Sequence, residues 1–325
     1  MKTVLVTGAS GFIGCNLVGA LLNDKNYKLI LTDKNGPGDG LSELYDTQNQ
    51  LITFYDLDIT NSESVFNIFK KHKIDTCVHL AGLVNVGDSI KHPDKTMHVN
   101  VNGTINILDA CSQNHTDNFV FASSAAVYGH PTKIPIQEEH QLKPISPYGI
   151  SKLLAEKHVL SYMNSKKIQN TISLRIFNVY GDGQLGDVSV ITKFAKRLSI
   201  GLSPVIFGTG MQKRDFVSIN DVVKAMLLSI KAMENMSDRL EYPFPPIFNI
   251  GTVVATTIKD LCEQMIRLSG LNLQPAYTEG NYDADINASC ADITKAKNFL
   301  NFFPNTNLSV DLERIISSMV TTQIK

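Results

Sequence analysis

The chain has 325 residues, of which 43% are hydrophobic and 19% charged, a composition that excludes a disordered tail, a collagen-like fibre and a coiled coil. Its 30 Lys and Arg residues balance 31 Asp and Glu residues, so the net charge of −1 provides no basic field to attract nucleic acid or an anionic membrane. No apolar run reaches the roughly 20 residues of a membrane-spanning helix, and the 5 cysteines are far apart without a Cys-x-x-Cys pair. We therefore expect a cytoplasmic protein with reduced thiols, no bound metal, and neither nucleic acid nor a membrane as its partner.

The first 180 residues alternate short β-branched apolar runs with segments of helical period, which is the pattern of repeated βαβ units around a parallel sheet. Strands are predicted at 3–7, 28–33, 51–55, 76–80, 118–122 and 171–177. Helices are predicted at 11–22, 62–71, 94–113 and 147–163. This order predicts an α/β fold with a doubly wound parallel sheet.

From about residue 181 the pattern becomes less regular, because Gly and Pro clusters separate shorter helices predicted at 188–200, 220–233 and 258–268. We expect residues 1–180 to form the first domain and residues 181–325 a smaller C-terminal α/β substrate lobe. A strand predicted at 246–250 can return to the first sheet, so the boundary between the two units need not be a single cut.

A glycine-rich turn follows the first predicted strand and opens the first predicted helix, where residues 8–14 read Gly-Ala-Ser-Gly-Phe-Ile-Gly. Here the glycines let backbone N–H groups approach a pyrophosphate, whose charge the helix N-terminus favours. The alternative is an ordinary glycine-rich turn, but the strand-turn-helix context favours the dinucleotide site of a Rossmann fold. The expected cofactor contacts in this turn are Gly8, Gly11, Phe12, Ile13 and Gly14.

The second predicted strand ends at Asp33, where a carboxylate can accept hydrogen bonds from both ribose hydroxyls of an adenosine. This acid favours NAD over NADP, because a 2′-phosphate would meet its negative charge with only Lys34 nearby. Asn35 completes these expected contacts, and the alternative is that Asp33 is a turn residue preceding it. Asp58 and Ile59 follow the third predicted strand and are expected near the adenine, although this segment also suits a helix N-cap region.

Tyr148 and Lys152 are four residues apart in the helix predicted at 147–163, so both lie on one face. An ammonium group there can lower the pKa of the phenol and make it a usable acid/base near neutrality. Because this spacing arises by chance about once in a chain of this composition, the surrounding sequence must decide. The preceding predicted strand runs into Ser123 and Ser124, and the second of these hydroxyls lies 24 residues before Tyr148.

Together with the N-terminal glycine turn, this arrangement resembles the extended short-chain dehydrogenase/reductase family, and within it the NAD-dependent nucleotide-sugar epimerases and dehydratases. The resemblance covers essentially the whole chain. It implies Ser124 as the catalytic hydroxyl, Tyr148 as the acid/base, and Lys152 as the residue that binds the nicotinamide ribose and tunes the tyrosine. Ser123 would be a second hydroxyl contact with cofactor or substrate. The other implied cofactor contacts are Leu80, Ala81, Gly82, Asn100 and Phe177.

Ala125 and Ala126 follow Ser124 at positions where dehydratases of this family carry acidic residues for further proton transfers. The alanines favour a reaction that needs only oxidation and re-reduction of an alcohol, such as 4-epimerisation of UDP-glucose and UDP-galactose or of their N-acetyl forms. Relatives of this kind usually have a lysine where this chain has Val84. The alternatives are another reductase, decarboxylase or epimerase of the same family, and a non-catalytic NAD-binding regulator.

The resemblance also implies a nucleotide-sugar site in the C-terminal half. Phe207 would stack on a pyrimidine and Arg214 would hold a diphosphate, the alternatives being a core phenylalanine and an arginine paired with Asp215. Ser289 falls where 4-epimerases vary a residue beside the sugar C2 group, so a small residue implies room for an N-acetyl group. Its alternative is an exposed loop serine. The remaining expected substrate contacts are Asn178, Val190 and Asp285, while Tyr282 stands where many relatives have a second phosphate-binding arginine.

Assembly is a further implication of the resemblance. Members of the family usually dimerise through helices that flank the sheet, which here are the helices predicted at 94–113 and 147–163. The expected partners are therefore NAD, a nucleotide sugar and a second copy of the chain.

Overall fold

The protein is described from a computed structural model, which covers residues 1–38, 40–42, 51–184, 189–235, 244–279 and 286–322. The strands within this part are β1 (Lys2–Thr7), β2 (Tyr27–Asp33), β3 (Ile52–Asp56), β4 (Thr76–His79), β5 (Asn118–Ser124), β6 (Asn170–Ile176), β7 (Asn178–Tyr180), β8 (Val205–Phe207), β9 (Lys213–Ser218), β10 (Ile247–Ile250), β11 (Ala255–Thr257) and β12 (Ala276–Thr278). Seven of them form one parallel sheet in the order β10-β6-β5-β4-β1-β2-β3. The predicted doubly wound fold is confirmed.

The helices of the described residues are α1 (Phe12–Asp24), α2 (Ser62–Lys71), α3 (Val86–Lys91), α4 (Pro93–Met97), α5 (Gly103–Gln113), α6 (Pro147–Asn164), α7 (Val190–Ser199), α8 (Ile219–Glu234), α9 (Ile258–Ser269), α10 (Thr294–Leu300) and α11 (Leu308–Thr322). None of them is long and apolar enough to cross a membrane. The helix predicted at 94–113 is not uniform, because a π-helical turn at His98–Asn102 separates α4 from α5. Local periodicity does not distinguish this wider turn from a continuous α-helix.

Helices cover both faces of the sheet, which explains why its strands are continuous apolar runs instead of alternating ones. On one face, Val4 and Val6 of β1 belong to the same core as Leu17 of α1. On the other face, Leu5 belongs to a second core that includes Ile107 of α5. All five side chains are fully buried.

The second half of the chain contributes both to this sheet and to a separate layer. The strand predicted at 246–250 does return to the first sheet, where β10 pairs in parallel with β6 at the edge. Strands β7, β9 and β11 form a three-stranded sheet, and β8 pairs with β12. A third core, which includes Phe194 of α7, Leu261 of α9 and Leu312 of α11, lies beneath them.

Candidate active site

The predicted cofactor residues meet at the carboxyl edge of the parallel sheet. Gly8 follows β1, Asp33 ends β2, Leu80 follows β4 and Ser124 ends β5. The chain order reverses direction between β1 and β4, and open α/β sheets bind their ligands at such a switch point. The fold therefore brings the glycine-rich turn, the ribose acid and the hydroxyl-bearing strand to one place.

The glycine-rich turn cannot accept side chains at two of its positions. Gly8 has a φ of +70°, and a Cβ there would lie 2.7 Å from the backbone nitrogen of Ala81. A Cβ on Gly14 would lie 2.2 Å from the carbonyl oxygen of Gly8. The turn, the strand end and helix α1 thus pack at distances that only glycine permits.

Helix α1 has an N-terminus suited to an anion. Its N-cap residue, Gly11, provides no side-chain cap, and its first turn contains no acidic residue. The backbone N–H groups of Phe12 and Ile13 therefore lie at an uncapped, positive helix end, where a pyrophosphate is favoured. This cradle fits the diphosphate of a dinucleotide cofactor.

The acid at the end of β2 is tied to this turn. Asp33 accepts a hydrogen bond from the Ser10 N–H at 3.1 Å through Oδ2, and one from the Asn35 N–H at 3.2 Å through Oδ1. Its carboxylate therefore forms the local turn contact while remaining beside the glycine-rich loop. The two interpretations of Asp33, as a turn residue and as a ribose acid, are compatible.

Asp58 forms a turn of its own. Its Oδ1 accepts hydrogen bonds from Thr60 N–H at 2.9 Å and from the Thr60 hydroxyl at 2.7 Å, and these bonds hold the pKa of Asp58 below its ordinary value. Lys34 Nζ lies 3.7 Å from Asp58 Oδ2. The cap residue of α2 is Asn61, whose side chain accepts from the Ser64 N–H, so the segment from Asp58 to Thr60 leads directly into the N-cap without Asp58 being the cap. Ile59 is buried.

The turn after β4 is held by Asn100, which lies in the π-helical turn. Asn100 Oδ1 accepts from the Leu83 N–H at 2.7 Å, while its Nδ2 donates to the Leu83 carbonyl and to Ser151 Oγ, each at 2.9 Å. A Cβ on Gly82 would lie 2.9 Å from Asn100 Oδ1. Leu80 and Ala81 donate their N–H groups to Thr7 of β1. The side-chain amide of Asn100 therefore joins the turn to helix α6, which carries Tyr148.

His79, the buried last residue of β4, stabilises the start of the same turn. The His79 ring lies between Thr7 Oγ1 at 2.7 Å and Thr104 Oγ1 at 3.0 Å. Burial, reinforced by the charge of Lys152, lowers the pKa of His79 to about 3. The imidazole is therefore neutral at physiological pH.

Tyr148 and Ser124 meet at the end of β5, as their predicted roles require. Burial raises the pKa of Tyr148, and a hydrogen bond with the Ser124 side chain opposes that rise. Lys152 Nζ donates instead to the Ala122 carbonyl at 2.9 Å, 5.1 Å from the centre of the Phe121 ring. Burial lowers the pKa of Lys152 to about 8. The sequence analysis predicted that Lys152 lowers the pKa of Tyr148. In the structure, Ser124 is the group that opposes the rise in this pKa.

Two serines that the sequence analysis missed fix the start of α6. Ser146 Oγ accepts from the Gly149 N–H at 3.1 Å as the N-cap. Ser89 Oγ, on α3, accepts from the Tyr148 N–H at 3.1 Å. The first contact has a local signal, because a serine followed by proline, as in Ser146-Pro147, is a recognisable helix start. Ser89 lies 59 residues from Tyr148, so no local signal identifies it.

Ser123 has a partner within the protein. Its hydroxyl donates to Glu156 Oε2 at 2.6 Å, and the side chain is buried. Ser123 lies two residues beyond Phe121, on the strand face that packs against α6. The hydroxyl is therefore engaged in the protein interior, and its expected contact with cofactor or substrate stays a prediction. Phe177 follows β6 and is also buried.

Phe207 and Arg214 lie on the strands of the second half. Phe207, at the end of β8, is 44% exposed, so it is not a core phenylalanine. Arg214, on β9, donates from Nη1 to the carbonyl oxygens of Lys213 and Ile286. Asp215 is fully buried and accepts from Thr252, Val253 and Ala291. Residues after β10 and the Ala291 N–H therefore hold the Asp215 carboxylate. The position of Asp215 does not depend on an ion pair with Arg214, which was the alternative interpretation from the sequence.

Ser289 is buried, so the alternative of an exposed loop serine is wrong. Its N–H donates to the Lys213 carbonyl at 3.0 Å, next to Arg214. Asn178 begins β7 and pairs with Phe216 of β9. The remaining predicted contacts are Val190, half-buried as the first residue of α7, and Asp285, which lies outside the described residues together with Tyr282.

Comparisons with known proteins agree with this geometry. The sequence profile of the NAD-dependent epimerase/dehydratase family matches residues 4–251. A UDP-glucose 4-epimerase of Lactobacillus helveticus is 32% identical over 93% of this chain and 92% of its own length. These matches confirm the expected NAD cofactor and the expected class of enzyme, a nucleotide-sugar 4-epimerase.

Solved structures match over nearly the whole chain. A UDP-glucose 4-epimerase of Thermotoga maritima, solved with UDP-glucose, has a TM-score of 0.87 and 29% identity, covering 99% of this chain and 100% of that one. A UDP-N-acetylglucosamine 4-epimerase of Methanobrevibacter ruminantium, in complex with UDP-N-acetylmuramic acid, has a TM-score of 0.86 and 28% identity, covering 99% of both chains. With its dinucleotide cradle and Ser-Tyr-Lys arrangement, the chain belongs to the NAD-dependent epimerase/dehydratase family.

Proposed function

We propose that this protein interconverts UDP-sugars at C4, with UDP-glucose and UDP-galactose or their N-acetyl forms as substrates. The observation that carries the proposal is the placement of Ser124, at the end of β5, and Tyr148, in the first turn of α6, at the carboxyl edge of the sheet beside the dinucleotide cradle. Ala125 and Ala126 form the next turn, so no acidic side chain follows Ser124 there. A site with one acid/base pair suits oxidation and re-reduction better than elimination of water.

In the proposed reaction, Tyr148 takes the proton from the sugar O4 and Ser124 holds the same oxygen through its hydroxyl. NAD held at the glycine-rich turn and the N-terminus of α1 would supply a reversible hydride acceptor for the sugar C4, so that C4 could be oxidised and then reduced again on its opposite face. Tyr148 then returns its proton to O4, so protons and electrons balance and no external reductant is used. Burial raises the pKa of Tyr148, and its hydrogen bond with Ser124 opposes that rise and favours the ionised phenol. Lys152, one helical turn further along α6, would bind the nicotinamide ribose.

We propose that the nucleotide and diphosphate lie across Phe207 and Arg214. The exposed Phe207 ring can stack on a uracil, and the Arg214 guanidinium can bind phosphate oxygens. Ser289, whose N–H donates to the Lys213 carbonyl, has a small side chain. It would leave room for an N-acetyl group on C2 of the sugar. This supports acceptance of UDP-N-acetylglucosamine as well as UDP-glucose.

We also propose a homodimer in the cytoplasm, formed through the faces of α4–α5 and α6. Ile150 on α6 is 42% exposed and Ile90 on the adjoining α3 is 48% exposed, which supports a covered surface in this region. The five cysteines are free thiols, as expected for a reducing compartment. Light scattering coupled to size exclusion tests the dimer, and a monomeric mass at micromolar concentration would reject it.

The decisive experiment measures sugar-nucleotide turnover by the purified protein with no added reductant. UDP-glucose, UDP-galactose and their N-acetyl counterparts are supplied separately, and the products are resolved by chromatography. Tyr148→Phe is the matched control, because it removes only the phenolic oxygen. Interconversion that is lost in Tyr148→Phe supports the proposal and ranks the sugars. A product that appears only with external NADH would indicate a reductase, and inertness despite NAD binding would indicate a regulator.

A further inference from the structure

A buried ion pair lies directly beneath the catalytic end of β5. Glu156 of α6 and Arg175 of β6 are each about 1% exposed, and two hydrogen bonds join them, Nη2 to Oε1 at 2.6 Å and Nε to Oε2 at 3.0 Å. Burial by itself would lower the pKa of Arg175, but the hydrogen bonds and charge of Glu156 raise it. The guanidinium therefore stays charged, and the bidentate geometry fixes the spacing between helix and strand.

The carboxylate of this pair also holds the strand that carries Ser124. Glu156 Oε2 accepts from the Ser123 hydroxyl at 2.6 Å, and Ser123 directly precedes Ser124. One turn earlier on α6, Lys152 Nζ donates to the Ala122 carbonyl at 2.9 Å. Two consecutive residues of β5 are thus bound by two consecutive turns of the helix that carries Tyr148.

The ion pair is held from its other side as well. Arg175 Nη1 donates to the Tyr128 hydroxyl at 2.9 Å and to the Glu138 carbonyl at 2.8 Å. The Tyr128 hydroxyl donates in turn to Asn249 Oδ1 of β10 at 2.6 Å. The guanidinium therefore cannot move without breaking bonds to several segments, which makes it a rigid support for Glu156.

We propose that Glu156, acting through Ser123, is a positioning residue that sets the distance between Ser124 on β5 and Tyr148 on α6. The inference rests on the proposed function, because the alignment matters only if Ser124 and Tyr148 act on the same substrate oxygen. Small displacements of reacting groups lower turnover strongly while leaving binding intact. Loss of the positioning by Glu156 should therefore lower kcat and leave KM unchanged.

The test compares two buried serines on neighbouring strands. Ser123→Ala removes the hydrogen bond to Glu156 but leaves the ion pair intact. Ser173→Ala is the matched control, because Ser173 is fully buried on β6 and its hydroxyl has no hydrogen-bond partner among the described residues. We expect Ser123→Ala to lower kcat about 10- to 100-fold, with KM for the UDP-sugar and Kd for NAD unchanged. Ser173→Ala retains the wild-type kcat.

A double-mutant cycle separates positioning from direct contact. Glu156→Leu removes the acceptor of the Ser123 hydroxyl; once circular dichroism shows that it is folded, its kcat is measured with and without Ser123→Ala. If Ser123 acts through Glu156, adding Ser123→Ala to Glu156→Leu lowers kcat by much less than it does in the wild type. Independent effects of the two substitutions overturn the inference. If Glu156→Leu does not fold, the comparison of Ser123→Ala with Ser173→Ala decides alone.

The same assays separate this inference from the proposed function. A wild type that interconverts no UDP-sugar rejects the proposed function and the inference with it. An active wild type whose kcat is unchanged in Ser123→Ala rejects the inference alone. A raised KM or a weaker Kd for NAD in Ser123→Ala, with kcat retained, assigns Ser123 to direct ligand contact and also overturns the inference.

Discussion

Replacing Lys152 by methionine should abolish turnover and yet stabilise the fold at neutral pH. The lysine is 4% exposed, and burial lowers its pKa from the ordinary 10.5 to about 8. A pKa displacement of this size corresponds to about 3 kcal/mol by which the folded protein disfavours the ammonium at pH 7. Lys152→Met removes that penalty and also the hydrogen bond to the Ala122 carbonyl, a loss of about 1 kcal/mol. We expect a net gain of about 2 kcal/mol in the free energy of unfolding.

The gain should depend on pH in a defined direction. Between pH 8 and 10.5 the unfolded chain still binds the lysine proton and the folded chain has released it, so wild-type stability rises with pH relative to the variant. The advantage of Lys152→Met is therefore full below pH 8, shrinks by about 1.4 kcal/mol per pH unit above it, and is lost by about pH 9.5, above which the wild type is the more stable protein.

Urea denaturation of NAD-free protein, followed by circular dichroism between pH 6 and 10.5, measures both effects. Lys157→Met is the matched control, because Lys157 is exposed on the same helix and its replacement should change stability by no more than about 0.5 kcal/mol. A Lys152→Met variant that is less stable than the wild type at pH 7 would refute this reasoning. A difference that does not change between pH 8 and 10 would refute it equally.

Three further perturbations test other parts of the site. Gly14→Ala should weaken NAD binding at least about tenfold, as measured by isothermal titration calorimetry. The new Cβ would lie 2.2 Å from the Gly8 carbonyl oxygen, so the turn must shift to accept it. Unchanged affinity would show that this turn does not bind the cofactor. Asp33→Ser should narrow the preference for NAD over NADP by about tenfold or more, as read from the ratio of the two dissociation constants, and an unaltered ratio would remove Asp33 from the ribose site. Since the folded pKa of His79 is about 3, the unfolded chain binds more protons than the folded chain between about pH 3 and 6.5, and stability falls as the pH is lowered through this range. His79→Gln should therefore flatten the acid limb of a stability–pH profile by about 1.4 kcal/mol per pH unit, and parallel wild-type and variant profiles would contradict this.

Local signals account for most of what the sequence predicted correctly. The helix predicted at 62–71 is observed as α2 with the same limits, because Asn61 caps it and its apolar residues have a clear helical period. The glycine spacing of residues 8–14 indicates the cradle, because a tight turn between a strand and a helix imposes the same steric limits in any context. Tyr148 and Lys152 lie on one helix face for an equally local reason. The roles assigned to these residues stay predictions until they are assayed.

Tertiary structure decided which partners these residues have. Ser123 and Ser124 are adjacent in sequence, yet the first contacts Glu156 in the interior and the second contacts Tyr148. Nothing within a few residues of either serine distinguishes them, since the difference arises from how strand β5 packs against α6. The same holds for Ser89, whose contact with Tyr148 spans 59 residues.

The sequence by itself determined the alternation of strands and helices in the first half of the chain, the glycine-rich turn and the placement of Tyr148 and Lys152 on one helix, since each depends on residues that are neighbours in the chain. Only the tertiary structure decided the return of β10 to the sheet, the burial of Ser289 and the attachment of β5 to α6 through Glu156. These features depend on side chains that are far apart in sequence, where period and propensity carry no information. Packing of the whole chain supplies that information, because a buried polar group must find its hydrogen-bond partner wherever the fold places one.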